Sequence, residues 1–438
     1  MKNSGIEWIG EIPDSWSCLK AKYGIQSNDG GVWGNDLVGD ENDKVVFRST
    51  EQTIDGKWSI DNPAKRNFTF DISYYKILPG DLLITKSSGS LLHIGKTTLA
   101  DSFFETNECY YSNFLQRIRL KAVFLPKYAW YLFNSILVRE QFIYIQNSTS
   151  GLGNITASNI ENIFVPLPLL KQQQQIVCFL DSRMEKIDAL IEIQQAQIEK
   201  LKEYKQSVIT EAVTKGIDPN VPMKDSDVEW IGQVPEQWKV KRAKYIATSI
   251  FKGNGITKED IAFDGNTPCV RYGEIYTKYN ISFKECKTRT NREKLSILQF
   301  FRYGDILFAG TGELVEEIGK NIVYLGEQEC LAGGDIIVMR HKQDPAFLNY
   351  ALYATCSQMQ KSFGKAKLKV VHISASEIGN IFISLPTIKE QRKIADNLDD
   401  KCSKIDKLIE IKQSKIEKLQ EYKKSLIYEY VTGKREVL

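Results

Sequence analysis

Two segments carry the most concentrated positive charge in this 438-residue chain: KECKTRTNREK (residues 284–294) and KSFGKAKLK (361–369). The first half offers polar counterparts in Lys65-Arg66, Lys86-Ser87-Ser88 and Asn147-Ser148-Thr149-Ser150-Gly151. Lysine and arginine neutralise phosphates, while Arg, Asn, Gln and Ser reach base edges in the major groove of duplex DNA. A charge run by itself is ordinarily a solvated face. Here the runs fall at related places in two halves of one chain, which favours binding. The net charge is only +3, so a basic surface has to be local.

Other chemistries lack their residues. GSLLHIGKT (89–97) misses the GxxxxGK[ST] spacing because Ser90 stands where glycine is required, and the second half reads EIGKN. The repeated Ile-Gly-Lys reads as a turn between strands. The three histidines (His93, His341, His372) are not at metal-ligand spacing, and no cysteine cluster completes a site. No Gly-x-Ser-x-Gly elbow or Cys/His nucleophile arrangement appears. These absences favour a recognition or scaffolding role over an enzyme. No apolar run is long enough for a membrane span, and the first residues lack the apolar core of a signal peptide. The eight cysteines are scattered without CxxC and read as reduced thiols of a cytoplasmic protein.

The elements that must position these residues come in duplicate. SGIEWIGEIPDSWSCLKAKY (4–23) returns as SDVEWIGQVPEQWKVKRAKY (226–245), and its recurring tryptophans read as anchors of an entry segment. Strand-like runs follow in pairs: KVVFRST and PCVRYGE, LPGDLLITKSSGS and RYGDILFAGTGE, HIGKTTL and EIGKNIVYL. Each half then has a proline-led helical stretch, 126–142 and 345–363, and closes on ITASNIENIFVPLP or ISASEIGNIFISLP.

A long helical pattern ends each half. KIDALIEIQQAQIEKLKEYKQSVI (186–209) matches KIDKLIEIKQSKIEKLQEYKKSLI (404–427) at 17 of 24 positions, so the chain is a tandem duplication of one unit, not a solenoid of short repeats. The seam steps by 4 and 3 through Leu180, Met184, Ile187, Ile191, Gln194, Ile198, Leu201 and Lys205. It returns through Leu398, Cys402, Ile405, Ile409, Lys412, Ile416, Leu419 and Lys423. That repeat predicts a coiled coil, and the other copy is the partner that fits. Each helix is expected to run roughly 60 Å. The polar seam positions Gln194, Lys205, Lys412 and Lys423 could fix its register, though Lys205 and Lys423 could instead snorkel outward.

Taken together, IEWIGEIPDSW and VEWIGQVPEQW, GDLL and GDIL, LPLLKQQQQI and LPTIKEQRKI, and the paired KID…IEKL helices ending VTKG and VTGK resemble the specificity subunits of type I restriction-modification systems. The resemblance spans essentially the whole chain. It implies an α/β (α+β) fold with an internal pseudo-two-fold repeat: target-recognition domains at 1–170 and 216–387, and helices at 171–215 and 388–438 packed as an antiparallel coiled coil. It further implies a non-catalytic subunit whose domains each read half of a bipartite target in double-stranded DNA. Two methyltransferase subunits and the restriction/translocase subunits would be its partners. S-adenosylmethionine, ATP and Mg would belong to those partners, with no cofactor and no metal on this chain. The EWIG blocks and the helices are the expected docking surfaces.

DNA-contacting residues vary in this family, so no motif fixes them. The expected contacts are Arg48, Lys65, Arg66, Lys86, Ser87 and Ser148 in the first domain, and Arg271, Arg289, Arg292, Thr311, Lys365 and Lys367 in the second. A coiled-coil adaptor that binds only proteins shares the helices but leaves the basic loops without a purpose.

Overall fold

The computed structural model describes residues 1–437 apart from 91–92, 148–153, 254, 295–297 and 367–369. By contact the chain divides into two units. The first comprises Met1–Gln194 with Ser414–Leu438, and the second is the continuous stretch Gln195–Gln413.

In the first unit a four-stranded antiparallel sheet runs in the order Ile25–Gly30, Leu115–Leu120, Leu82–Thr85, Thr97–Leu99. A three-stranded sheet sets Asp43–Phe47 between Ala64–Asn67 and Cys109–Tyr111, the last pairing parallel. Leu82, Leu83 and Ile84 are all fully buried. A strand covered on both faces needs no polar alternation, which explains the unbroken LLI run. The second unit repeats this plan. Ala247–Lys252, Ile336–His341, Ile306–Ala309 and Asn321–Tyr324 form its antiparallel sheet, extended by Ser282–Phe283. Thr267–Val270 pairs antiparallel with Thr288–Thr290 and parallel with Cys330–Ala332.

The repeated Gly-Asp dipeptides are explained by their geometry. Asp81 accepts from Leu78 N at 2.8 Å, closing the turn, and from Arg119 Nε at 2.9 Å on the neighbouring strand. Asp305 does the same with Arg302 N and Arg340 Nε, at 3.0 and 3.3 Å. The proline-led helical stretches each break once. Pro126–Asn134 gives way to Ile136–Asn147 at an extended Ser135, and Pro345–Tyr353 to Thr355–Ser362 at an extended Ala354. A second capped helix follows in each unit, with Thr156 or Ser374 accepting from the backbone amide three residues on.

Each long helix belongs to both units. The first spans Leu170–Lys215 and the second Ile388–Val431. Within the first unit, Asp188 meets Lys423 at 2.6 Å and the rings of Phe179 and Tyr430 lie 4.4 Å apart. Within the second, Lys412 donates to Gln197 Oε1 at 2.6 Å and Lys205 pairs with Asp406 at 2.7 Å. As one residue number rises the other falls, so the helices run antiparallel. Leu180, Met184, Ile187, Ile198, Leu398, Cys402, Ile405 and Ile416 are buried along the seam, while Ile191, Leu201, Ile409 and Leu419 are half-buried. Burial of about 1.5–3 kcal/mol per large aliphatic side chain is what holds such a seam together.

Polar groups on the long helices satisfy the domain backbone. Gln173, fully buried, donates to Val123 O and Pro168 O and accepts from Leu125 N. Gln391 repeats this by accepting from Asp344 N and donating to Pro386 O. Tyr131 donates to Asp181 and Tyr350 to Asp399, at 2.6 and 2.7 Å.

The entry blocks meet the helix ends. Gly216 and Gly433, at φ +80° and +71°, follow the two long helices in the left-handed conformation that terminates a helix without a Cβ penalty. Trp238 closes over Gly216 and Trp16 over Gly433; a Cβ at Gly433 would lie 2.4 Å from Pro13 Cδ. Both tryptophans are buried, whereas Trp8 is 56% exposed, so only one of the two tryptophans in the first block is a core anchor.

Candidate nucleic-acid interface

In both units several of these residues sit where strands end. In the first, Arg48 follows Asp43–Phe47 and opens a short helical turn, Ser49–Glu51. Its guanidinium meets Glu51 at 2.6 Å and its backbone N–H reaches the same carboxylate at 2.6 Å. Burial acts to raise the Glu51 pKa, but the Arg48 and Thr50 hydrogen bonds win and hold it below the usual range. Arg48 is thereby tethered.

Lys86 follows Leu82–Thr85 and is gripped by its backbone, donating to Phe114 O and accepting from Ile155 N. Its side chain is half-buried beside Gly30, where a Cβ would come within 3.2 Å of Nζ. No acidic partner for it exists among the described residues, and desolvation lowers its pKa. An unpaired, partly dehydrated ammonium gains most from an approaching phosphate. Ser87 forms an isolated bridge with Asn154, next to the helix capped by Thr156. Lys65 is exposed on the edge strand Ala64–Asn67, while Arg66 pairs with Asp36 and lies over the Trp33 ring at 4.3 Å. Ser148 lies outside the described residues.

In the second unit Arg271 occupies the position of Arg48, and Thr311 that of Ser87. Thr311 Oγ1 stands 3.1 Å from His372 Nδ1 on the paired short strand. Lys365 Nζ donates to His372 O at 2.6 Å and Glu377 Oε1 at 2.7 Å. For Glu377 burial again opposes ionisation, yet bonds from Lys365 and Ser374 keep its pKa low. Arg289 Nε donates to Gly265 O and Arg292 N to Asn266 Oδ1, so these two fasten one loop. Lys367 lies outside the described residues.

The structure gathers two of these side chains. Arg271 lines a cleft of about 900 Å³ with Lys252, Lys258, Lys278, Glu274 and Asp335. Thr311 lines an adjoining hollow that shares Lys252 and Asp335 and takes in Glu377, the partner of Lys365. Arg289 and Arg292 line neither. Lys252, Lys258 and Lys278 escape the sequence reading because each is a single lysine outside a charge run. The usable signal was positional: Lys252 opens the glycine-rich KGNG segment at the place of Gly30 in the first unit. Among the described residues no group of His, Cys, Asp or Glu is placed to hold a metal.

A family model described as the type I restriction modification DNA specificity domain matches residues 42–203 and again 235–421. The type I restriction enzyme MjaVIII specificity subunit of Methanocaldococcus jannaschii is 30% identical over 329 residues, 70% of each chain. The putative MjaX specificity subunit of the same organism is 27% identical over 98% of this chain and 96% of its own. Among solved structures, a chain reported for complex assembly and conformational transition of the type I R-M system aligns with a TM-score of 0.70 at 17% identity, over 98% of this chain and all of its own. The HsdS subunit from Thermoanaerobacter tengcongensis aligns at 0.50, also at 17% identity, over 97% and 98%. At those identities the structural likeness speaks for the fold.

Proposed function

The chain belongs to the type I restriction-modification DNA specificity family, and from that premise we propose that each unit reads one half of a bipartite target in duplex DNA. The observation that carries this reading is the repetition of one strand-end place in both units, with Lys86 at it in the first and Lys252 lining it in the second. Lys86-Ser87 and Gly310-Thr311 both leave the third strand of the sheet and meet the segment that precedes a capped helix. Two such readers suit grooves about one helical turn apart, roughly 34 Å, with the antiparallel helices setting the gap. Lys65, Lys86, Ser87 and Ser148 in one unit, and Arg271, Thr311 and Lys367 in the other, are assigned to DNA. Arg48, Arg66, Arg289 and Lys365 are assigned to shaping the loops that present them, because each side chain already holds an intramolecular partner; Arg292 joins them because its amide donates to Asn266 and its guanidinium lies over the Phe300 ring at 5.4 Å.

The chain contributes recognition and no catalysis in this reading. Adenine methylation with S-adenosylmethionine, and ATP- and Mg-dependent cleavage, are the work of methyltransferase and restriction subunits that dock on it. Docking is supported by the groove of about 930 Å³ in the first unit, where exposed Trp8, Ile136 and Tyr144 meet Tyr428. In the second unit the Phe363 and Trp230 rings meet edge-on, 5.3 Å apart.

A genome-wide map of methylated adenine, with this gene intact and deleted, tests the proposal. The expected result is a two-part motif with a fixed gap that disappears on deletion. A methylation pattern unaffected by deletion, together with no salt-sensitive DNA binding by the complex with a methyltransferase subunit, would overturn it in favour of a protein-only adaptor.

A further inference from the structure

Arg48 and Arg271 hold one position in the repeat, each ending a strand and each followed three residues later by a glutamate. Their side chains are in different chemical states. Glu51 accepts both the Arg48 amide and its guanidinium. Glu274, only 3% exposed, also accepts the Arg271 amide, at 2.9 Å. Its remaining capacity goes elsewhere, to Lys278 Nζ at 2.6 Å and to the Thr288 hydroxyl. The Arg271 guanidinium is left without a hydrogen bond or ion pair among the described residues, and its Nε is buried and unpartnered.

The surroundings of Arg271 are built for a close visitor. Its stem runs beside Gly333, where a Cβ would be 3.6 Å from Arg271 Cγ. Gly253, Gly255, Gly273 and Gly334 line the same cleft, so few side chains stand between the guanidinium and solvent. Lys252 is held by Asp335 at 3.2 Å and Lys278 by Glu274, whereas Lys258 has no such partner among the described residues. A planar guanidinium with a free fork, flanked by a lysine that can meet a phosphate, has the donor pattern that matches O6 and N7 of guanine.

We infer that Arg271 is the guanine-reading residue of the second unit, and that Arg48 at the same place in the first unit reads no base because Glu51 occupies its fork. The inference rests on the proposed DNA-recognition role and adds one base identity to one half-site. It makes the half-sites unequal in chemistry at a position where the fold is equal.

The test maps adenine methylation by the assembled complex carrying the parent chain, Arg271→Lys, or Arg271→Ala. The lysine variant keeps the charge and stem but loses the fork, so it guards against loss of folding. The expected outcome is that one guanine in one half-site becomes dispensable, its preference falling roughly 5- to 150-fold, while the other half-site keeps its sequence. An unchanged motif with Arg271→Lys overturns the inference. Uniform weakening at all sequences, with the motif intact, also overturns it by making Arg271 a phosphate contact. Absence of any two-part motif with the parent chain is a different failure, that of the recognition role itself.

Discussion

Lys361 offers a quantitative check on the second unit. It is fully buried, donating to Asn321 Oδ1 at 2.7 Å and Leu352 O at 2.8 Å, with its ammonium 5.6 Å from the Phe308 ring centroid. Desolvation pushes its pKa down from 10.5 to about 7. The unfolded chain keeps the proton up to about pH 10.5 while the folded chain releases it near 7. The unfolded state thus binds more protons across that window, and stability rises with pH through it. At about 1.36 kcal/mol per pH unit, the destabilisation approaches about 5 kcal/mol well below pH 7 and shrinks to about 1 kcal/mol at pH 9.5. Lys361→Met removes this dependence. It also leaves two acceptors unpaired, at about 1–3 kcal/mol each, but that cost does not vary with pH. The measurement is calorimetric unfolding of parent and variant at pH 7 and pH 9.5, where the other titrating groups cancel in the difference. The variant is expected to gain about 3 kcal/mol on the parent as pH falls from 9.5 to 7. A difference that stays the same at both pH values refutes the reasoning.

Three further outcomes are expected. Lys205→Met strands Asp406 on the helix seam and should cost about 1–3 kcal/mol, reduced from the fully buried case because Asp406 is a third exposed; removing both charges together should restore most of it, as denaturant unfolding would show. Gln391→Ala unsatisfies the Asp344 amide and the Pro386 carbonyl and should destabilise the second unit by about 2–4 kcal/mol, read as a lowered unfolding midpoint. Lys86→Ala should weaken DNA binding by the assembled complex at all sequences and reduce the slope of log affinity against log salt by about 0.9; an unchanged slope would remove Lys86 from the phosphate contacts.

Much of the scaffold was legible because it is written locally. The 4,3 seam, the proline-led helices and the Gly-Asp turns depend on neighbours a few residues away. The ownership of the long helices was not legible. Chain order attaches each helix to the half before it, whereas packing gives half of each helix to the other unit, since an antiparallel partner must come from a distant stretch. The cation sites were harder still. Arg48 and Arg271 look alike in sequence, and what separates them includes Thr288, which only the sheet brings to Glu274. Arg289 and Arg292 stand in the densest charge run but fasten a backbone loop, while Lys252, in no run at all, lines the cleft.

The discontinuity of the first unit also sets an order of events on the ribosome. Leu426, Tyr430 and Val431 complete a core that otherwise consists of residues before position 195. The second unit needs nothing beyond Gln413. At about 5–20 residues per second, the strip of Ile176, Leu180 and Met184 waits about 12–50 s for its cover after it has been synthesised. The unit made last is therefore the first able to close. Slow translation of the final helix would prolong the exposure of the first unit, where chaperone capture or misassembly would be concentrated.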